Sequence, residues 1–391
     1  MPLRQQIYDV LPGRPFGRAT HGTNVTLSAD PHTRRTATGT IGNNVLTLNS
    51  GGYSNGDLIL IHQTRDPASE TEDNYELALI VSGGGTTSLT LQDNLGRTYT
   101  DGTQVLDVRE YRNVTISTWT VAEWNGSTGA LFAIVDAGTT SGSGQIICNG
   151  GNGFPTSQDH SISSTDPNTW RATQAGGGFG AGWNTSDGNT AGAGEGIYGS
   201  FVTETKLRQG NGGGGNSGDQ GSGGGNATAG GNGDGSQGGS AVGNTTLTSM
   251  HLGGGGGGTG APAQDGPASG GRGGGAGWYW AKYWSNTGGI RLNGGNGGDS
   301  TNPPFGGSGV ADGGGGAGGS FRGSFERAAL GSNIIQAQKG VCPADTNSDG
   351  AQGRIAIFYG LEAPSGSTLP AATVTFDPFL VDPVGGFAVF F

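Results

Sequence analysis

Five aromatic residues form the most prominent group of side chains in this sequence that could hold a ligand. They lie within seven residues and are Trp278, Tyr279, Trp280, Tyr283 and Trp284. Flat aromatic faces bind sugars and apolar surfaces, and Trp and Tyr are enriched where binding energy is concentrated. We therefore treat these residues as candidate contacts with a binding partner. The alternative is that the rings seal the interior of the protein, and the sequence leaves both interpretations open.

A short acidic motif is the one candidate ion site. Asp345, Asn347 and Asp349 have the Asp-x-Asn-x-Asp-Gly spacing that begins a calcium-binding loop. The twelfth position of such a loop is occupied here by Ala356 instead of glutamate. The alternative is a surface turn rich in Asn and Asp. Ca²⁺ is the only cofactor that the sequence suggests.

The two cysteines lie near opposite ends of a glycine-rich segment. A disulfide between Cys148 and Cys342 would close that whole segment. The alternative is a pair of buried free thiols, which behave as small apolar side chains.

Catalytic motifs are absent from the sequence. The five histidines are dispersed, without metal-ligand spacing, and no G-x-S-x-G motif occurs. Paired carboxylates, as used by a polysaccharide depolymerase, cannot be recognised from spacing. The sequence therefore predicts a protein that is not an enzyme, with a depolymerase as an alternative.

Composition narrows the class of protein further. Glycine accounts for 86 of 391 residues, and the net charge is -11 without any cluster of Lys and Arg. The acidic balance argues against nucleic-acid binding, which depends on neutralised phosphates. No apolar run is long enough for a transmembrane helix, so no membrane insertion is expected. The first residues lack a secretory signal, which favours release by cell lysis or non-classical secretion.

The elements that must position these residues are expected to be strands. Residues 1–40 carry four prolines and predict an extended arm that docks on a neighbouring subunit or frays. Residues 41–147 contain short apolar runs separated by turn residues, such as Val45-Leu-Thr-Leu and Leu131-Phe-Ala-Ile-Val. This pattern is typical of an all-β sandwich or barrel, with essentially no α-helix anywhere in the chain.

Residues 148–360 are dominated by glycine runs, between which lie short apolar pieces. One interpretation is a flexible linker. The other is a packed array of polyglycine II helices, which have three residues per turn and satisfy their backbone groups through neighbouring helices. We favour the packed array, because a linker has no use for the interleaved aromatic pieces. Residues 361–391 are apolar and β-prone, and we expect this tail to be covered by its own chain or by a neighbouring subunit.

The order of several motifs resembles glycine-rich surface proteins of bacteria. The motifs are Gly56-Asp-Leu-Ile-Leu-Ile-His-Gln-Thr, Asn74-Tyr-Glu, Gln104-Val-Leu-Asp-Val-Arg-Glu-Tyr, Trp124-Asn-Gly-Ser-Thr-Gly-Ala and Gly353-Arg-Ile-Ala-Ile-Phe-Tyr. In those proteins a β-segment with these motifs precedes the glycine-rich region, and a "GGRI" strand ends it. Ala130 stands here where the family usually has glycine.

The glycine runs also resemble the polyglycine sandwich of phage tail-fibre tip adhesins. That resemblance covers residues 150–360 and implies a structural virion protein that attaches the phage to its host. In those adhesins, loops at one end of the sandwich contact the receptor. The implied partners are other virion subunits, held through the arm and the tail, and a host receptor or glycan. The alternatives are a subunit of a bacterial or archaeal extracellular filament or adhesin, and an envelope depolymerase.

Overall fold

The computed structural model describes residues 23–64, 75–153, 221–233, 237–258, 268–299, 312–343 and 346–380, with the side chain of residue 379 left aside. Within these ranges the protein is all-β and contains no α-helix, as the sequence predicted. Two 3-10 turns occur, at Thr346–Ser348 and Pro378–Leu380. No helix in the described part of the chain is long and apolar enough to cross a membrane. Strands are numbered in chain order, and β1 is Asn24–Leu27.

Six antiparallel strands close into a small barrel in the order β2-β3-β6-β5-β4-β7. They are β2 (Arg34–Gly39), β3 (Val45–Leu48), β4 (Leu58–Gln63), β5 (Tyr75–Ser82), β6 (Ser88–Leu91) and β7 (Tyr99–Asp107). Alternate residues point inward, and Ile59, Ile61 and Val105 are fully buried in a core that belongs to the barrel alone. Closure leaves no free sheet edge, which protects these short strands from pairing with other chains.

The other strands form two parallel sheets. The large sheet contains β1, β8 (Arg109–Tyr111), β9 (Asn113–Ile116), β11 (Leu131–Gly142), β13 (Ala276–Trp284), β15 (Ser320–Ala328), β17 (Arg354–Tyr359) and β19 (Thr373–Phe376). The small sheet contains β10 (Trp119–Thr120), β12 (Gln145–Ile147), β14 (Gly289–Arg291), β16 (Ile335–Gln336) and β18 (Thr368–Leu369). From β9 to β19 the chain visits the two sheets in turn, so each pass adds one strand to each. We call both sheets together the parallel stack.

The parallel stack divides the chain differently from the sequence prediction. The barrel is an insertion between β1 and β9, which pair with each other in parallel. The predicted β-domain of residues 41–147 is therefore split, because its last third pairs with β13 and β14, which lie within residues 148–360. Part of the predicted arm also forms strands, β1 and β2, and residues 1–22 lie outside the described residues.

The core of the parallel stack lies between its two sheets. Trp119 of the small sheet contacts Phe132 of the large sheet, with ring centroids 6.2 Å apart. Phe132 in turn stacks on Phe321 two strands further along, at 6.5 Å. The other face of the large sheet packs against the barrel and against residues 244–252. Strands that are covered on both faces are apolar along their whole length instead of alternating.

The glycine runs connect the two sheets. The chain leaves the small sheet after β12, β14 and β16 along residues 148–153, 292–299 and 337–343. It returns to the large sheet before β13, β15 and β17 along residues 268–275, 312–319 and 346–353. Residues 221–233 and 237–258 add further runs within the first connection. We call these eight ranges together the glycine-rich region.

Each glycine run is bonded through its backbone to several neighbouring runs. The amide of Gly314 donates to the carbonyl of Gly257 at 2.9 Å, and the carbonyl of Gly314 accepts from the amide of Gly271 at 2.9 Å. A Cβ atom at position 314 would lie 2.1 Å from the carbonyl oxygen of Ser222, on a third run. Backbone thus contacts backbone on three sides, and only glycine leaves room for this arrangement.

An asparagine ladder closes one side of the glycine-rich region. The side-chain oxygens of Asn149 and Asn152 accept from the amides of Asn293 and Asn296, at 2.8 and 2.9 Å. The same oxygens of Asn293 and Asn296 accept from the amides of the next run, those of Gln338 and Val341, at 2.9 and 3.0 Å. Ladder residues recur every third position along each run. Side chains three residues apart therefore lie on the same side of each run.

Candidate functional end of the glycine-rich region

Three segments of the chain, residues 154–220, 259–267 and 300–311, have their flanking residues together at one end of the glycine-rich region. The flanking residues are Gly153 and Gly221, Gly258 and Ala268, and Asp299 and Asp312. The amide of Gly298 donates to the carbonyl of Ser269 at 2.9 Å, and that of Gly313 donates to the carbonyl of Gly298 at 3.1 Å. We call this end of the glycine-rich region the loop end.

Two further hydrogen bonds tie the first stretch to the same place. The amide of Gly153 donates to the carbonyl of Asn296 at 2.7 Å. The amide of Gly221 donates to the carbonyl of Asp312 at 3.1 Å. Gly153 and Gly221 are thus linked through the runs of residues 292–299 and 312–319, which are bonded to each other. The residues that flank all three segments therefore belong to one hydrogen-bonded platform.

Shorter connections also border the loop end. The amide of Gly297 donates to the carbonyl of Val341 at 2.9 Å, which places the run of residues 337–343 beside this platform. The hydroxyl of Ser348 donates to the carbonyl of Asn232 at 3.3 Å, so the run that precedes residues 234–236 also ends here. The ends of several connections of different lengths therefore lie together on one hydrogen-bonded scaffold. Binding loops are positioned by a scaffold in this way in many proteins.

The predicted calcium motif lies beside the loop end. Asp345 lies outside the described residues. The buried carboxylate of Asp349 pairs with the Lys339 ammonium at 2.7 Å and accepts from the amide of Cys342 at 2.9 Å. A cation at this carboxylate would compete with the lysine. Among the described residues no group of three or more His, Cys, Asp or Glu side chains is arranged to hold a metal ion.

The two cysteines do not form the predicted disulfide. Both are buried, and no disulfide joins them. Cys148 lies at the foot of the glycine-rich region, where its amide donates to the carbonyl of Arg291 and its carbonyl accepts from Gly275. Cys342 lies at the loop end, next to Asp349. Burial raises the pKa of the Cys148 thiol to about 12, so this thiol stays protonated and unreactive near neutral pH.

The predicted aromatic contacts are corrected by the structure, because four of the five rings are buried. Trp278, on the barrel side of the large sheet, packs edge-on against Tyr75 at 4.9 Å between ring centroids. Tyr279 faces the interior of the parallel stack, where its hydroxyl lies 2.9 Å from that of Thr140. The ring of Trp284 lies 5.0 Å from that of Tyr279. A central strand covered on both faces buries successive side chains on both sides, and this explains the error.

Tyr283 is the one aromatic residue of the cluster that remains accessible. Its side chain is 40% exposed, and the guanidinium of Arg327 lies 5.9 Å from the ring centroid. It belongs to β13, away from the loop end. Trp280 is buried. The cluster as a whole is therefore not a binding surface, and its rings stabilise the large sheet.

Other aromatic residues lie in the first of the three segments, between Gly153 and Gly221. Residues 154–220 include six of them, namely Phe154, Trp170, Phe179, Trp183, Tyr198 and Phe201. They were not singled out from the sequence, because they are scattered among Gly, Ser, Thr and Asn. Their position between two glycine runs was the signal available. The same stretch carries six acidic and three basic side chains.

Comparison with known proteins gives distant similarities to two phage tailspikes. No family model and no curated protein matches the chain. The tailspike of Acinetobacter baumannii bacteriophage AP22, solved in complex with A. baumannii capsular saccharide, is 9% identical, with a TM-score of 0.20. The alignment covers 91% of this chain and 57% of that tailspike. The tailspike of Pseudomonas phage phi297 is also 9% identical at a TM-score of 0.20, and the alignment covers 88% of this chain and 55% of that one. The chain thus spans little more than half the length of either tailspike.

Proposed function

We propose that this protein is a non-enzymatic structural component of a phage particle that recognises the host-cell surface, as a tail-fibre or receptor-binding adhesin. The observation that carries the proposal is the loop end. The residues that flank segments 154–220, 259–267 and 300–311 lie there, on runs that are hydrogen-bonded to one another. A rigid platform that holds long connections in one place is suited to binding, because only the connections need to change when the target changes.

We further propose that the glycine-rich region is a packed polyglycine II array. The three-residue spacing of the asparagine ladder supports this, since a polyglycine II helix has three residues per turn. The run of residues 312–319 also supports it, because its amides donate to three other runs, from Gly314 to Gly257, from Gly315 to Ser348 and from Gly316 to Gly295. A sheet strand bonds to two neighbours in one plane only. The lack of room for a Cβ atom at Gly314, beside Ser222, also supports a packed array.

The proposed target is a host receptor or glycan that contacts residues 154–220. Aromatic side chains supply flat apolar contact at low entropic cost, and Trp170, Trp183 and Tyr198 belong to this stretch. A calcium ion at Asp345, Asn347 and Asp349 remains a proposal for the neighbouring turn. Exchange of the Lys339 ammonium for Ca²⁺ at Asp349 would be required.

We propose that other subunits bind where the parallel stack ends, at its last strands β18 and β19. Val374 and Phe376 of β19 are 49% and 53% exposed. They share a sheet face with their register partners Ile357 and Tyr359, which line the interior of the stack. Among the residues that the structure describes, none covers this part of the interior fully, and a second sheet or strand would cover it. The predicted tail contributes β18 and β19 to its own chain, and residues 381–391 lie outside the described residues.

The same open end favours a filament subunit as the second candidate function. If the protein is a filament subunit, the purified protein should form long polymers in electron micrographs, to an extent that depends on its concentration. If it is a tail adhesin, the micrographs should show discrete particles. Changing Phe376 to glutamate should abolish polymers without loss of cell binding if subunits join here.

The decisive experiment is a cell-binding assay with a variant in which residues 154–220 are replaced by a short Gly-Ser connector. Gly153 and Gly221 are bonded to the adjacent runs of residues 292–299 and 312–319, so the connector must span these two runs. We expect the variant to melt at the same temperature as the unmodified protein and to lose binding to host cells. Tyr283→Ala is the matched control and should bind normally. Full binding by the connector variant would refute the loop end as the receptor site, and sugar release from host envelope by the purified protein would favour the depolymerase alternative.

A further inference from the structure

Two buried histidines lie where the barrel meets the parallel stack. His62 of β4 is 1% exposed, and its Nε2 donates to the carbonyl of Met250 at 2.9 Å. Its Nδ1 lies 2.8 Å from the hydroxyl of Thr64, which also accepts from the Gln104 side-chain amide. The second histidine, His251, is 6% exposed and lies one residue after Met250.

The segment that carries His251 bridges the two bodies. On the side of the stack, the hydroxyl of Ser320 donates to the carbonyl of His251 at 2.7 Å, and the His251 ring lies 2.8 Å from the hydroxyl of Ser249. On the side of the barrel, Tyr75 donates its hydroxyl to the carbonyl of Leu247 at 2.7 Å. The same carbonyl accepts from the guanidinium of Arg322 on β15 at 3.0 Å.

The charged groups around the two rings are mostly cationic. Arg97 approaches from the connection between β6 and β7, Arg354 from β17 and Arg322 from β15. Lys282 and Glu326 follow further along the large sheet. Burial is the main cause that lowers the pKa of His62 to about 4, with Arg97 adding to the shift and the Met250 carbonyl opposing it. Burial likewise is the main cause that lowers the pKa of His251 to about 3, with the charges of His62, Arg354 and Arg97 adding to the shift.

We propose that His62 and His251 form an acid-sensitive latch, which holds the barrel on the large sheet while both rings are neutral and releases it when both are protonated. A protonated His62 would donate from both ring nitrogens, so the Thr64 hydroxyl could no longer donate to Nδ1. Two positive charges would also lie in an interface lined by Trp278, with ring centroids of His62 and Trp278 5.6 Å apart.

The barrel should keep its fold after it is released from the large sheet. Its interior is a separate apolar cluster that includes Leu46, Ile80 and Leu89, none of which contacts the core of the parallel stack. Release would instead expose the outward-facing Leu60 and Tyr75 together with Trp278. The sign of the pH effect follows from the lowered pKa values. Stability of the latch is complete above the ordinary histidine pKa near 6.5 and declines as the pH falls from there towards 4 and 3.

The experiment is an acid titration of the full-length protein followed by tryptophan fluorescence and iodide quenching. The barrel strands contain no tryptophan, so the change due to Trp278 is isolated by comparison with a Trp278→Phe variant. At pH 4.5 we expect the ratio of released to latched protein to rise on the order of a thousand-fold or more over its value at pH 7.5, from the two pKa shifts. Far-UV circular dichroism should retain the β signal at that pH.

The His62→Gln/His251→Gln variant removes both titrating rings and keeps a hydrogen-bonding amide at each position. We expect its Trp278 to stay shielded to pH 3.5, whereas His32→Gln should titrate like the unmodified protein. Release of the double variant at the unmodified pH would overturn the proposal. So would a titration of the unmodified protein in which Trp278 stays shielded to pH 3.5, or is exposed only when the β signal is lost. If the double variant does not fold, each single variant must lower the pH of release.

Discussion

Replacing Gly314 by alanine tests whether the glycine-rich region is held by contacts that exclude every side chain. The new Cβ would lie 2.1 Å from the carbonyl oxygen of Ser222 and 2.4 Å from its carbon. Ordinary contact for such atoms begins near 3.4 Å. The two runs must therefore separate by more than about 1 Å, which is more than a packed interior accommodates without strain.

The expected cost follows from two contributions. Overpacking of a close-packed site costs about 1–3 kcal/mol. Separation of the runs also weakens the bonds of Gly314 to Gly257 and Gly271, each 2.9 Å long, at about 1 kcal/mol apiece. Alanine restores about 0.5–1 kcal/mol because it is less flexible than glycine when unfolded. We expect the variant to lose about 2–4 kcal/mol, a large fraction of the stability of a typical domain.

The assay is guanidinium denaturation followed by tryptophan fluorescence and circular dichroism. Gly331→Ala is the matched control, since the nearest atom to its Cβ is a methyl group of Ile334 at 3.2 Å and that side chain can move. We expect the control to change stability by less than about 0.5 kcal/mol. If Gly314→Ala unfolds at the same denaturant concentration as the control, contact between runs does not hold this region together.

Three further predictions concern single side chains. Trp284→Ala should cost about 3–5 kcal/mol in denaturant unfolding and leave cell binding per folded molecule unchanged, because the ring is buried and not at the loop end. Asp136 is buried, and desolvation raises its pKa to about 6, so folding favours the protonated acid. The Asp136 carboxyl group therefore contributes stability that is lost as the pH rises from 3.8 to about 6, and the melting temperature of Asp136→Asn minus that of the unmodified protein should increase over this interval. Calcium at the proposed site would have to displace the Lys339 ammonium from Asp349. If it does so, adding Ca²⁺ should raise the melting temperature by about 5 °C or more, and a shift of less than about 2 °C would refute the site.

Local strand patterns were predictable from the sequence. Val45–Leu48, Ser88–Leu91 and Asn113–Ile116 are strands at the places where short apolar runs were bounded by turn residues. The partners of these strands were not predictable. Leu131 pairs with Ala276 across the whole first connection, and no local pattern specifies pairing over such a separation. A parallel sheet covered on both faces also lacks the alternation that would reveal its buried side.

The sequence predicted that loops on a glycine-rich scaffold form the candidate site, but it did not predict which residues lie there. The glycine runs indicated a scaffold with connecting loops, whereas the aromatic density at Trp278 and Trp280 pointed to a surface that proved to be interior. The sequence around Trp278 is compatible with an exposed aromatic surface and with a strand that is covered on both faces. The strand is covered because the barrel, which is inserted far upstream in the sequence, packs against Trp278 through Tyr75.

The three-residue spacing of the asparagine ladder restricts how this protein can change in length. Adding or removing one residue within residues 292–299 would turn Asn293 and Asn296 away from the amides of Gln338 and Val341. Adding or removing three residues would preserve the alignment. We therefore expect natural and engineered variants to differ in multiples of three codons within residues 292–299.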